Sequence, residues 1–147
     1  MNEDESVIAS NILVVDDTEM NRSLVKIILE RAGHRIDIAT CGATAVKLAA
    51  ENSYDLILMD VQMPAMDGLE ATRQIRNLDR AHCAVPILAM TANVLADQVA
   101  RYGAVGMNGH VGKPIDRKEL LAVVRRWSHA TTPKSGYREQ PAMAAAL

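Results

Sequence analysis

Short apolar segments recur along this chain, and each one ends at a side chain that carries a charge or a hydroxyl group. Residues 12–15, 56–59 and 86–90 contain no polar side chain. A strand that is apolar on both faces is typical of a parallel sheet, which helices cover on both sides. Because segments with helical spacing separate these runs, the sequence predicts an α/β fold.

The predicted elements alternate regularly between strand and helix. We expect strands at residues 12–15, 35–39, 56–59, 86–90 and 110–112. Helices are predicted at residues 18–31, 43–51, 69–78, 94–102 and 116–127, the first capped by Thr18 and the last by a capping box of Asp116 and Glu119. Since parallel crossovers are right-handed, five such units predict a doubly wound sheet with helices on both faces.

The chain length of 147 residues is that of one domain. We expect an N-terminal extension over residues 1–10, a folded domain over residues 11–128 and a flexible tail or linker over residues 129–147, where the hydrophobic periodicity is lost. Phenylalanine is absent and aromatic residues make up 3% of the chain, so the core must be aliphatic.

Charge and composition exclude several classes of protein. The net charge of −2 argues against a nucleic-acid binder, which normally has a basic surplus. The acidic N-terminus does not resemble a signal peptide, and no apolar run approaches the ~20 residues that span a membrane. The two cysteines, Cys41 and Cys83, lack the spacing of metal ligands, so a reduced, cytoplasmic protein is the simplest expectation.

Polar residues follow four of the predicted strands directly. Asp16 and Asp17 follow the first strand, Asp60 the third, Thr91 the fourth and Lys113 the fifth. Taken singly, each has an ordinary explanation as a helix cap, a turn residue or a solvated side chain. Since ligand sites in such folds lie beyond the carboxyl ends of the strands, their joint occurrence predicts one functional site.

The residue types of this site suit phosphoryl transfer. Two carboxylates ~4 Å apart repel each other by about 4 kcal/mol at an effective dielectric constant of 20, and Mg²⁺ relieves such repulsion with oxygen ligands. Lys113 and Thr91 can bind phosphoryl oxygens. One of the carboxylates can then act as a nucleophile and become an aspartyl phosphate.

Four stretches, in this order, resemble the receiver domain of two-component signalling, the response-regulator family. They are residues 12–17, residues 58–64 with Asp67 and Gly68, residues 90–92 and residues 112–115. The resemblance covers about residues 11–127. The sequence of residues 106–110 is most similar to that of receivers of hybrid sensor histidine kinases. The resemblance implies a flavodoxin-like sheet of five parallel strands in the order 2-1-3-4-5.

The resemblance also implies a role for each acidic residue. Asp60 matches the phosphoacceptor. Asp17 and Asp60 match direct Mg²⁺ ligands, together with the backbone carbonyl of Gln62, whereas Asp16 would act mostly through water. Mg²⁺ is therefore the expected cofactor.

Further positions match the parts of a receiver that respond to the phosphoryl group. Thr91 and Lys113 match the pair that holds it and couples it to loop movement, with Thr91 as a switch residue. The Lys113-Pro114 peptide matches one that is usually cis. His110 stands where the family usually has a tyrosine or phenylalanine that switches conformation. A packing role without switching is an equal alternative for His110.

The expected partner is a sensor histidine kinase or a histidine phosphotransfer protein, which would dock on Met20, Asn21 and Leu24. The domain would catalyse its own phosphorylation and dephosphorylation, and it would signal through changed binding to an unknown protein. A phosphatase of the haloacid-dehalogenase type would need an aspartate where Gln62 stands. A flavodoxin-like cofactor binder would need a phosphate loop after the first strand, and a pseudo-receiver that only binds partners stays open.

Overall fold

A computed structural model describes residues 9–79 and 82–131, with side chains through Ser128. The strands are β1 (Asn11–Val15), β2 (Arg35–Ala39), β3 (Leu56–Asp60), β4 (Ile87–Thr91) and β5 (Gly109–Gly112). The helices are α1 (Glu19–Arg31), α2 (Gly42–Glu51), α3 (Gly68–Arg76), α4 (Ala96–Ala104) and α5 (Arg117–Thr131). All strand pairs are parallel, in the order β2-β1-β3-β4-β5, which confirms the predicted topology.

Alternate residues of the strands supply two separate hydrophobic cores, one on each face of the sheet. Leu13 and Met59 point to the face that α2, α3 and α4 cover. Val14 and Leu58 point to the opposite face, where α1 and α5 pack. Both faces are covered because consecutive side chains of a strand point in opposite directions, so a run without polar residues must be buried on both sides.

The apolar residues of α1 do not all face the sheet. Val25, Ile28 and Leu29 face the sheet and are buried. Met20 and Leu24, which share the helical spacing of the buried residues, are exposed. The helix therefore keeps part of its apolar surface on the outside.

The ends of several elements differ from the predicted ones. Asp60 and Thr91 are the last residues of their strands rather than the first residues after them. Helix α4 begins two residues later than expected, because the Asn93 side chain accepts a hydrogen bond from the Leu95 amide (3.2 Å) and holds a turn there. Helix α5 continues to Thr131, so the first residues of the predicted tail are helical.

One of the two predicted helix caps makes its hydrogen bond in the structure and the other does not. Asp116 accepts a hydrogen bond from the amide of Glu119 (2.9 Å) at the start of α5. Gly33 has a φ of 101° after α1, a conformation that suits glycine. Thr18 stands at the N-cap position of α1, but its side chain makes no capping hydrogen bond. The predicted extension up to residue 8 and the tail beyond Thr131 lie outside the described residues.

Among the helices described, none combines the length and the apolar character that crossing a membrane requires.

Candidate functional site

The parallel sheet brings its strand ends together at one edge. Asp16 directly follows β1, and Asp60 ends β3. Thr91 ends β4 beside β5, and the Lys113 amide donates to the Thr91 carbonyl (2.9 Å) just past the last strand. All strands run in the same direction, so residues far apart in the chain become neighbours here. The structure thus brings the ends of β1, β3, β4 and β5, with Asp16, Asp60, Thr91 and Lys113, to one edge of the sheet.

An ammonium group joins two of the carboxylates. Nζ of Lys113 lies 3.1 Å from Oδ1 of Asp60 and 3.2 Å from Oδ2 of Asp16. Asp16 and Asp60 are both buried, whereas Lys113 keeps partial contact with solvent. Since a buried carboxylate is costly without a partner, Lys113 compensates the charge of both.

The electrostatic environment acts on Asp60 in opposing directions. Burial and the negative charge of Asp16 raise the pKa of Asp60 to about 6, although Lys113 lowers it through its hydrogen bond and charge. Burial lowers the pKa of Lys113, but the hydrogen bonds and charges of Asp60 and Asp16 outweigh burial, so its pKa is raised. Lys113 is therefore protonated at neutral pH, and additional positive charge near Asp60 would further favour its ionised form.

Three carboxylates at this edge could hold a divalent cation. One oxygen each of Asp16, Asp17 and Asp60 lies within 4.8 Å of the others. Asp17 is exposed, so the cluster is open to water on one side. Oxygen donors with access to water are the environment that Mg²⁺ prefers. The backbone of Gln62 is also close, because its amide donates to Oδ1 of Asp60 (3.2 Å). These residues fit the predicted metal.

The loop between β3 and α3 fixes the backbone around Asp60. Ala65 has a φ of 66°, in the left-handed region. Gly68 lies so close to the Asp60 carbonyl that a Cβ atom at residue 68 would collide with that oxygen. Asp67 caps α3 by accepting a hydrogen bond from the amide of Glu70 (2.9 Å). The absence of a side chain at Gly68 therefore allows α3 to begin directly behind Asp60.

The hydroxyl of Thr91 is bound by the chain itself. The Asn93 amide donates to Oγ1 of Thr91 (2.9 Å), and the hydroxyl of Tyr102 lies 3.0 Å from the same atom. Tyr102 also donates to the Asn93 carbonyl (2.8 Å). In the sequence, Tyr102 is only the last residue of a predicted helix. The one signal in the sequence is that Tyr102 is an aromatic residue with a hydroxyl group in a chain with only three tyrosines, one tryptophan and no phenylalanine.

His110 is not part of this hydrogen-bond network. It pairs with Ala89 in the sheet, two residues before Thr91, and its side chain is half-buried. Over the ranges that the structure describes, no hydrogen bond or ion pair joins its ring to Thr91. The Lys113-Pro114 peptide is cis, as the resemblance implies.

The expected docking residues lie on the outer side of α1. Met20 is 77% exposed and Leu24 is 42% exposed, whereas Asn21 is half-buried. Ile27, one turn after Leu24, is 52% exposed and continues the apolar strip. Helix α1 begins at Glu19, two residues after Asp17, so the strip starts only a few residues along the chain from the acidic cluster.

The sequence profile of the response regulator receiver domain matches residues 12–125 of this chain. Among curated proteins, the sensor histidine kinase AruS of Pseudomonas aeruginosa is 43% identical over 116 residues. The match covers 78% of this chain but only 12% of AruS, so the chain spans a small part of that relative.

Solved structures agree with the sequence comparison. The receiver domain of a sensor histidine kinase of Pseudomonas aeruginosa, with a magnesium ion in its active site cleft, is 36% identical. It has a TM-score of 0.76 over 83% of this chain and 99% of that chain. The receiver domain of Ssk1 from Saccharomyces cerevisiae, in complex with the histidine phosphotransfer protein Ypd1, has a TM-score of 0.80 at 25% identity, over 87% of this chain and 94% of that chain. The chain therefore belongs to the response regulator receiver domain family of two-component systems.

Proposed function

We propose that this receiver domain accepts a phosphoryl group on Asp60 from a phosphohistidine, in a reaction that depends on Mg²⁺. The observation that carries the proposal is the position of Lys113, whose ammonium lies 3.1 Å from Asp60 within a cluster of three carboxylates. A lysine held there can neutralise a phosphoryl oxygen as charge develops.

The transfer exchanges one bond to phosphorus for another. A carboxylate oxygen of Asp60 attacks phosphorus while the bond to the donor's imidazole nitrogen breaks, and the imidazole keeps the electron pair. Both hydrogen bonds that Asp60 accepts within the described ranges end on Oδ1, so Oδ2 is the available nucleophile. Lys113 and the hydroxyl of Thr91 then bind oxygens of the acyl phosphate, which water later hydrolyses.

The metal would lie at the open side of the acidic cluster. Asp17, Asp60 and the Gln62 carbonyl would bind it, and Asp16 would act through water. Bound Mg²⁺ would neutralise the carboxylates and the incoming phosphoryl oxygens. The magnesium ion in the similar Pseudomonas aeruginosa receiver supports this assignment.

The donor would be a sensor histidine kinase or a histidine phosphotransfer protein that docks on Met20, Asn21 and Leu24. The exposed strip on α1 supports this surface, because its side chains are large and apolar and the helix begins two residues after Asp17. The complex of a similar receiver with Ypd1 supports the class of partner. Phosphorylation would then change binding to a downstream protein, and a cytoplasmic location stays a prediction from the sequence.

Mass spectrometry tests the phosphoacceptor directly. The intact protein is incubated with acetyl phosphate, with and without Mg²⁺, and a gain of one phosphoryl group is expected only with Mg²⁺. Asp60→Asn should abolish the gain. Asp67→Asn is the matched control, because asparagine still caps α3 and Asp67 lies outside the cluster. A gain that persists in Asp60→Asn would refute the assignment, and no gain in the parent would favour a pseudo-receiver.

A further inference from the structure

The Thr91 hydroxyl and the Tyr102 hydroxyl form a buried pair at the end of β4. Thr91 is 5% exposed and Tyr102 is 3% exposed. Their oxygen atoms are 3.0 Å apart, although Tyr102 belongs to α4 and Thr91 to the sheet. The pair links the candidate site to the helix that follows it.

The directions of the hydrogen bonds follow from the partners that are present. Tyr102 has one proton, and its shortest contact is to the Asn93 carbonyl, at 2.8 Å. The Thr91 hydroxyl has two acceptors within reach, the Tyr102 oxygen at 3.0 Å and the Asn93 carbonyl at 3.4 Å. Because the Asn93 carbonyl already accepts from Tyr102, we assign the Thr91 proton to the shorter contact, so that Thr91 donates to the Tyr102 oxygen. The Asn93 amide donates to Thr91 in turn (2.9 Å). The only proton of the Thr91 hydroxyl is thus used within the chain.

We propose that Tyr102 is a positioning residue that holds the Thr91 hydroxyl away from a phosphoryl group on Asp60 and is released when that group binds Thr91. The proposal rests on the proposed function, in which Thr91 donates to a phosphoryl oxygen. Since Thr91 has a single proton, it cannot donate to Tyr102 and to the phosphoryl group at the same time. The hydrogen bond to Tyr102 therefore stabilises the unphosphorylated state alone.

The release would reach the surface through the connection between β4 and α4. Tyr102 and Thr91 both bind Asn93, and the next residues, Val94 and Leu95, are 51% and 66% exposed. Tyr102 also forms part of the wall of a cavity of about 510 Å³, which Met63, Pro64, Gln98 and Arg101 help to line. A change at Thr91 would thus alter the exposed residues Val94 and Leu95 and the part of the cavity wall that α4 forms. This coupling would not involve His110.

Beryllofluoride binding in the presence of Mg²⁺ measures the effect of this hydrogen bond. Tyr102→Phe keeps the ring and removes the hydroxyl, so it should raise the affinity for beryllofluoride about fivefold, the effect of one ordinary hydrogen bond. Tyr54→Phe is the matched control, because it removes a tyrosine hydroxyl that binds Asp37 (2.6 Å), away from Thr91. Its affinity should equal that of the parent.

A double-mutant cycle separates this role from a general effect on packing. In a Thr91→Val background the hydroxyl pair no longer exists, so Tyr102→Phe should leave beryllofluoride affinity unchanged. The proposal would be overturned by unchanged or weaker binding in Tyr102→Phe, or by an equal gain in the Thr91→Val background.

Nuclear magnetic resonance of the parent gives a second test that needs no variant. The ring signals of Tyr102 should shift when beryllofluoride and Mg²⁺ are added, and unchanged signals would overturn the proposal. If the parent binds beryllofluoride and accepts a phosphoryl group on Asp60 while these tests fail, only the role of Tyr102 is refuted. If the parent does neither, the proposed function fails as well.

Discussion

The ammonium of Lys113 lies 3.1 Å from Oδ1 of Asp60, although 53 residues separate the two in the chain. The same ammonium lies 3.2 Å from Oδ2 of Asp16. One cation thus compensates two buried carboxylates, and it stands where a phosphoryl oxygen would need positive charge. Stability and proposed chemistry therefore depend on the same ion pairs.

Removal of the Lys113 charge should destabilise the fold when no metal is present. Lys113→Met should lower the free energy of unfolding by about 3 kcal/mol in chelator, because it leaves two buried carboxylates uncompensated. Urea denaturation measures the change. Lys47→Met is the control, since Lys47 forms only an exposed pair with Glu51 at 3.8 Å and should change stability by less than about 0.5 kcal/mol. Equal effects of the two variants would contradict the importance of the buried pairs.

Asp17 and Asp16 should respond differently to substitution. Asp17→Asn should slightly raise Tm in chelator, because it removes one of three clustered negative charges at an exposed position. Asp16→Asn should lower Tm, because Asp16 is buried and paired with Lys113.

The Asp17→Asn variant also tests the metal site. Mg²⁺ at a hundredfold excess over its Kd should stabilise the parent by about 2.7 kcal/mol. Asp17→Asn should lose most of this gain. Mg²⁺ stabilisation of equal size in the parent and in Asp17→Asn would refute Asp17 as a ligand. Thermal melts with and without Mg²⁺ provide the measurement.

The stability of the metal-free protein should depend on the ionisation of Asp60. Folding raises the pKa of Asp60 to about 6, above its ordinary value of 3.8, so the folded state holds the proton more tightly. Protonation of Asp60 therefore stabilises the folded state, and this stabilisation is lost as the pH rises from about 4 to about 6. In chelator, Asp60→Asn should therefore be as stable as the parent near pH 4 and more stable above pH 7. A stability difference between the two proteins that does not change with pH would contradict the raised pKa of Asp60.

Arg76 should be a major source of stability outside the site. Its guanidinium donates to the carbonyl oxygens of Gly106 (2.6 Å), Cys83 (2.8 Å) and Val85 (2.6 Å), and to Oδ1 of Asn108 (2.8 Å). These bonds join α3 to the segments before β4 and β5. Arg76→Met should lower the free energy of unfolding by about 3 kcal/mol, because several acceptors, most of them partly buried, lose a charged donor.

The neighbouring Arg73 is a matched control for this effect. Arg73 lies on the same helix but forms an exposed pair with Glu70 at 3.1 Å. Arg73→Met should therefore change the free energy of unfolding by less than about 1 kcal/mol in the same urea titration. If Arg76→Met were as mild as Arg73→Met, the bonds of Arg76 would not contribute to stability.

The strand pattern explains why most of the candidate site could be predicted. Strands such as β3 and β4 are apolar on both faces, which requires a parallel sheet covered by helices. Parallel strands all end at the same edge, so the order of residues along the chain was sufficient to bring Asp60, Thr91 and Lys113 together. No knowledge of side-chain packing was needed for that step.

Other features could not be read from any local pattern. Asp16 and Asp17 are chemically identical neighbours in the sequence, and no local pattern shows that only Asp16 is buried against Lys113. Met20 and Ile28 have the same apolar character, but the rotation of α1 on the sheet exposes one and buries the other. Such differences depend on how a helix packs, because periodicity defines a face without deciding which residues lie at its edge.

The contact between Thr91 and Tyr102 is the clearest example of a feature that the sequence alone does not predict. The sequence by itself determined the alternation of strands and helices and the polar residues at or just after the ends of four strands, because both follow from periods of two and 3.6 residues within short segments. Only the tertiary structure decided that a tyrosine of α4 reaches the Thr91 hydroxyl. That contact depends on the path of the connection between β4 and α4 and on the rotation of the helix, which are set by packing across the whole domain rather than by neighbouring residues.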